Sequence, residues 1–326
     1  MHRRLPLSAT LLLLGLAVAA LLAASLASGS LPLAPAEMVH ALMSGEPSLA
    51  RDVLLGLRLP RALAALAVGG LLALAGALLQ VLLRNPLADP YVLGISGGAS
   101  VTALLAIMAG LPAAAVDGAA ATGAFATCLL VSALAQGAGG WTPTRLLLTG
   151  IVVAAGAGSI VSLLLALSDD TRLRGMVFWL LGDLSHAERW PGLLVLMTLS
   201  AAASVAIGRH LNVLARGTTQ AASVGLPVRR FQILLFVFSS VLTGAAVSTA
   251  GAIGFVGLVT PHLARLALGS DNRAVLPVAT LLGGVLLMVA DLASRVLIAP
   301  RQLPVGALTA LVGVPLFLLL MSRQRS

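Results

Sequence analysis

Groups that could move a proton, hold an ion or attack a substrate are scarce in this chain, so each can be weighed singly. The 326 residues carry twenty basic side chains, eleven carboxylates, five histidines and one cysteine. Every basic residue is arginine. Without lysine the chain cannot build a Walker A loop, whose lysine reaches the β- and γ-phosphates. The lone Cys128 excludes an intramolecular disulfide and any multi-cysteine metal site. The histidines stand apart from one another and from paired acids, so neither a catalytic constellation nor a metal centre is expected. The arginines are scattered rather than gathered into one basic domain, which argues against nucleic acid as a partner.

Three sets of ionisable residues could still act. Arg58 and Arg61, in "LRLPRAL", and Arg295 could form a cationic patch that receives acidic groups of a partner. They could equally meet lipid headgroups. Arg172 and Arg174 precede the apolar "GMVFWLLGDL". If that segment lines a cavity, Arg174 would face an anionic cargo; otherwise it would pair with Asp169 or Asp170. His262 follows a proline in "GAIGFVGLVTPHLAR". An ionisable group at membrane depth is functional by default, although a single histidine near a helix end is commonly a hydrogen-bonded structural residue.

The elements that must position these groups are membrane helices. Mean hydropathy is +1.05 and only 10% of residues are charged, too few to clothe a soluble domain. Aromatic residues make up 3%, and the 34 glycines suit close helix contacts in lipid. The amino-terminal run resembles a signal peptide, but its uncharged stretch reaches residue 36, long enough for an uncleaved span. With that run included, nine charge-free runs lie along the chain, and the longest, 231–264, splits at Gly251 to make ten. The expectation is one all-α polytopic domain over residues 1–326 with ten helices near 5–28, 62–83, 91–110, 117–138, 145–168, 190–208, 231–250, 252–269, 274–297 and 305–322. A weak echo between "LAGALLQ" and "LTGAAVS" suggests two five-helix halves of inverted topology. The arginine bias places both termini in the cytoplasm. Segment 30–57 reads as holding a short surface helix, and 169–189 as a partial helix that does not cross.

Two inner loops stand out. "RNPLADPYVLGISGGAS", Arg84 to Ser100, cannot be a continuous helix, because Asn85 and Asp89 each precede proline. It is either an ordinary loop before a close-packed helix or a mobile constriction at the inner mouth. In the loop 209–230, Gly217, Ala221 and Gly225 recur every four residues, which would give a helix one smooth face for docking.

These stretches, with "LRLPRALAALAVGGLLALAGALLQ" and "QLPVGALTALVGVPLFLLLM", resemble the permease subunits of the ABC importers for iron-siderophores, haem and cobalamin, over nearly the whole chain. The resemblance implies a type II importer in a bacterial inner membrane. It implies a homodimer with two ATP-binding subunits below and a periplasmic binding protein above. By position, Arg58, Arg61 and Arg295 match residues that meet the binding protein. The elbow from Leu211 through Gly217, Ala221 and Gly225 matches the ATPase-coupling helices, with Thr218 and Thr219 replacing the usual acidic pair. Asn85, Leu87 and Thr144 match the cytoplasmic gate. "LRGMVFWLLGDL" is similar to the haem-importer version, with Arg174 and His262 as cargo-pathway candidates, although Asp183 departs from the usual small residue. The implied cargo is haem, with a ferric siderophore or cobalamin as alternatives. No permanent cofactor is implied, and ATP would sit on the partner subunit. A proton- or sodium-driven carrier is the rival reading; it should show acids in mid-helix, and here only Asp291 comes near that.

Overall fold

The structure is a computed structural model that describes residues 6–29, 33–43, 47–136, 142–185 and 189–323. Arg3, Arg4 and Arg325, part of the charge bias above, lie outside these. The described chain is all α. Helix α1 is Leu7–Ala27, α2 Pro35–Met43, α3 Leu49–Leu83, α4 Ile95–Met108 and α5 Ala113–Ala135. Then come α6 Pro143–Ala166, α7 Asp170–Leu181, α8 Trp190–Ala215, α9 Thr218–Ser223 and α10 Val228–Ala250. The chain closes with α11 Val256–Leu268, α12 Asn272–Val296 and α13 Val305–Arg323. Seven of these helices are long and apolar enough to cross a bilayer, and three shorter apolar ones, α4, α11 and α13, complete the expected set.

Helix α3 is the axis of the fold. Its span is 94% buried, against 6% for α1 and 17% for α6. Between Arg61 and Arg84 it offers only small and aliphatic residues and Gln80, so neighbours can close on every side. Glycine makes the closest approaches. A Cβ on Gly69 would stand 2.3 Å from the carbonyl oxygen of Gly283 on α12, and one on Gly76 2.0 Å from that of Gly257 on α11. Small residues at such crossings give membrane helices their packing energy, because lipid supplies no hydrophobic drive between them.

The helix pairings repeat. In one half α4 packs on α5 and α6; in the other α11 packs on α12 and α13. Likewise α3 lies against α12 as α10 lies against α5. Five spans per half is an odd number, so the two halves run oppositely through the membrane.

The connections between α3 and α4 and between α10 and α11 are the two broken regions. Arg84 closes α3 in the left-handed conformation, φ 48°. Asn85 Oδ1 then accepts from Leu87 N at 2.9 Å, and Asp89 Oδ1 from Tyr91 N at 2.8 Å. A short 3-10 turn, Pro90–Leu93, precedes Gly94 at φ 76°, so α4 starts at Ile95 rather than near 91. Gly251 (φ 68°) and Phe255 (φ 69°) bracket the second break, which delays α11 to Val256. Helix α7 is the short helix expected in 169–189. Met176 is its buried residue, and the chain beyond it docks where Asp183 N donates to Ala250 O at 2.9 Å.

Candidate functional site

Arg58, Arg61 and Arg295 converge, although 230 residues separate Arg61 from its carboxylate partner. Arg61 Nε donates to Asp291 Oδ1 at 2.7 Å, and Arg295 Nε to Asp291 Oδ2 at 3.1 Å. Arg61 Nη1 also donates to Gln302 Oε1 at 2.8 Å. Arg58 and Arg295 reach across to the end of α1: Arg58 Nη1 to Leu26 O at 2.6 Å, Arg295 Nη1 to Ser28 O at 3.3 Å and Ser25 O at 3.4 Å. Helix ends leave such carbonyls unpaired and carry negative dipole charge, so cations there are favoured. Arg58, Arg61 and Arg295 are only 5%, 8% and 8% exposed, and Asp291 is 1% exposed. Arg61 and Arg295 thus share one carboxylate in a nearly closed setting, with Arg58 bound to the end of α1. Arg295 Nη2 and Ser25 Oγ are buried with no partner among the described residues. The spacing of these arginines was legible, but not that they face inward and bind α1, α3 and α12 together. Exposed Arg301 and Gln302 mark where this end meets solvent.

The two chain breaks meet inside the fold. Tyr91 Oη, from the first, accepts the N–H of Ile253, from the second, at 2.6 Å. Burial and the nearby Asp89 carboxylate push the Tyr91 phenol up, so it stays protonated. Gln80 is the second link. Its Nε2 donates to Ala88 O at 3.3 Å, Gly257 O at 3.3 Å and Leu258 O at 3.4 Å, and its Oε1 accepts from Arg265. The need is set by Pro261, which lies inside α11 and has no N–H to offer the carbonyl four residues earlier, that of Gly257. In lipid such an orphan carbonyl must find a protein donor, and Gln80 is that donor. Sequence reasoning missed Gln80; the sign was a single amide in an otherwise apolar run, paired with a proline inside a span.

His262 is buried, with its ring edge against Phe317 of α13 at a centroid distance of 6.4 Å. This contact joins α11 to α13. Arg174 projects from the exposed side of α7, its guanidinium 5.7 Å from the centroid of the Phe178 ring. Helix α7 touches α4 on one side and α13 on the other. Asp183 Oδ1 accepts from Ser185 N at 2.9 Å and the other oxygen from Ser185 Oγ, so its charge is engaged within its own turn.

At the opposite end, α8 runs past Arg209 and His210 to Ala215, seven residues beyond the expected limit near 208. Leu211 is fully buried there. Helix α9 covers only Thr218–Ser223; Gly217 (φ 133°) and Gly225 (φ 84°) are the bends on either side of it. The expected smooth face of Gly217, Ala221 and Gly225 is therefore corrected. Two members lie outside the helix in backbone conformations that favour glycine, and Ala221 points inward, fully buried. The outward surface is instead Thr219, Gln220, Ala222, Ser223 and Val224, with Val224 70% exposed. The first break lies beside this elbow, since a Cβ on Gly217 would be 3.8 Å from Arg84 Nη1. Leu87 is 43% exposed and Thr144 is exposed, while half-buried Asn85 caps its own loop. Gly150 lets α6 close on this connection, because a Cβ there would be 2.8 Å from Leu93 Cα.

Comparison with known proteins agrees with this architecture. The FecCD transport family matches residues 13–323. The hemin transport system permease protein HmuU of Yersinia pestis is 42% identical over 279 residues, 83% of this chain and 83% of that protein. The cobalamin import system permease protein BtuC of Halobacterium salinarum is 41% identical over 303 residues, 90% of this chain and 80% of that protein. A solved structure described as an inward-facing conformation of a metal-chelate type ABC transporter superposes with a TM-score of 0.83 at 30% identity, covering 95% of this chain and 97% of that one. With a match from the first span to the last and, among the described residues, ten apolar helices of which the second span is the buried axis, the chain belongs to the FecCD transport family, the permease subunits of ABC importers for iron-siderophores, haem and cobalamin.

Proposed function

We propose that the cargo is haem, carried from periplasm to cytoplasm by a homodimer of this chain. The observation that supports this most is Arg174. It is exposed on a short helix between α4 and α13, and its plane is steadied by Phe178. Two copies, one per subunit, would offer two guanidiniums for the two propionates of haem, with apolar walls for the macrocycle. The similarity to the hemin permease of Yersinia pestis points the same way. The exposed apolar stripes of α6 and α13, Val152 and Leu311 among them at 70% and 71%, flank α7 and are the faces on which a second copy would close.

Two ATP-binding subunits would grip the outward surface of α9, and a periplasmic binding protein would dock at the opposite end. There the buried arginines exceed their one aspartate, and the field of that excess charge, with exposed Arg301 at the surface, would draw acidic groups of the partner. Both termini then lie in the cytoplasm, in a bacterial inner membrane. ATP binding works by favouring one arrangement of the two breaks over another, and the chain itself performs no covalent chemistry. The similarity to a cobalamin permease keeps cobalamin as the second reading; it has amides in place of propionates and a single phosphodiester charge, so it would depend less on Arg174. The test is ATP turnover of the reconstituted assembly with haem or cobalamin delivered by the binding protein. Haem should stimulate, and Arg174→Gln should weaken its effect about tenfold, as for two partly screened charge pairs. Stimulation by cobalamin alone, or an Arg174→Gln assembly that responds normally to haem, would overturn the proposal.

A further inference from the structure

An apolar groove of about 650 Å³ lies between α5, α8 and α10, none of which carries the α6 and α13 stripes. The hydroxyls along its α10 wall are turned back into their own helix. Ser240 Oγ donates to Phe236 O at 2.7 Å, Ser248 Oγ to Ala245 O at 3.1 Å and Thr249 Oγ1 to Ala245 O at 3.2 Å. These hydroxyls already have acceptors, so that wall suits an occupant without polar groups. One end differs. Arg189, just ahead of α8, keeps 47% of its side chain exposed there. It donates to Ala114 O at 3.2 Å and stands 3.7 Å from Asp117, which is long for a charge-assisted contact. Trp190 follows it, as aromatic residues do at the headgroup level.

The groove follows α10 from Val237 to Thr249, about 18 Å at about 1.5 Å per residue. That is close to half of the ~30 Å hydrocarbon core. An apolar wall one leaflet deep, with a guanidinium at its headgroup end, has the dimensions and polarity of one arm of a phospholipid. We propose that the groove seats an acyl chain of a bilayer phospholipid whose phosphate is held by Arg189. Small residues make the room, since nothing larger than Ala121, Gly244 and Ala245 stands at those wall positions. A lipid so placed would wedge α5 and α8 apart and back α10 from the membrane side. The inference needs only a membrane-embedded chain and is independent of which cargo is carried.

The full-length chain is reconstituted in nanodiscs of phosphatidylcholine with a trace of phosphatidylglycerol bearing a diazirine in its acyl chain. Photolysis and peptide mass spectrometry then locate the adducts. They should concentrate on groove residues such as Cys128 and Ser132. Filling the groove with Ala121→Phe or, separately, Ala245→Phe should cut groove adducts about tenfold, while Leu12→Phe on the exposed face of α1 should not. Arg189→Gln should cut them about fivefold. Adducts spread evenly over α1, α5, α8 and α10 and insensitive to both groove fillings would overturn the proposal. So would a bismaleimide link between the Cys128 residues of two copies, which would put a second copy in the groove.

Discussion

Replacing Gly76 by alanine adds one methyl group at the tightest crossing of α3. That Cβ would stand 2.0 Å from Gly257 O and 2.6 Å from Gly257 C and Cα, all backbone atoms of α11. No side chain can swing away, so the helices must part by more than 1 Å to reach ordinary contact, ~3.4 Å or beyond. Overpacking of this kind costs about 1–3 kcal/mol. Separation also pulls Gly257 O and Leu258 O away from Gln80 Nε2, contacts already at 3.3 and 3.4 Å, and losing them costs about 1 kcal/mol each. Alanine returns about 1 kcal/mol of helix propensity. The net loss is about 2–4 kcal/mol, equivalent to a drop in melting temperature of roughly 3–6 °C for a chain of this size. The assay is thermal unfolding in detergent followed by circular dichroism at the helix band. Gly15→Ala on α1 is the control, because a Cβ there meets nothing within 4 Å. Equal melting of the Gly76→Ala and Gly15→Ala proteins would refute the reasoning.

Asp89 supplies a pH dependence. Burial pushes its carboxyl up to about 6, while the Tyr91 N–H bond pulls the other way. The unfolded carboxyl titrates near ~3.9, so between about pH 4 and 6 the folded chain holds the extra proton and stability from this group falls as pH rises. Asp89→Asn keeps the acceptor for Tyr91 N, and it should flatten the slope of melting temperature over that window; an unchanged slope would remove Asp89 as its source. Asp291→Ala leaves Arg61 and Arg295 without their shared counterion and should cost about 3–5 kcal/mol. It should melt well below Arg61→Met, which leaves the Arg295–Asp291 pair intact, and equal melting would show that the cluster is not held by its carboxylate.

The spans were legible because bilayers expel charge, so each uncharged run marks a helix. Their ends were less so. Once α8 leaves the hydrocarbon, Arg209 and His210 no longer oppose helix, and it continues to Ala215. Residues 251–255 are as apolar as a span, yet positive φ angles at Gly251 and Phe255 keep them out of the helix, which hydropathy cannot register. At the elbow, a four-residue recurrence read as a helical face is produced partly by glycines serving as bends at Gly217 and Gly225. The outer arginines were visible by type and place. Arg295 meets Asp291 one turn away on its own helix, but Asp291 reaches Arg61, and the end of α1 reaches Arg58, only by tertiary packing, across separations of 230 and 32 residues. Gln80 became intelligible only once α11 lay beside α3 with Pro261 in place.

The most direct test of the whole account is uptake of labelled haem into proteoliposomes holding this chain, with and without its ATP-binding subunits, the binding protein being present outside. Uptake should require the ATP-binding subunits and ATP, and Val224→Asp on the outward surface of α9 should abolish it while leaving the fold intact. Uptake by this chain alone, driven by a proton or sodium gradient, would contradict the account.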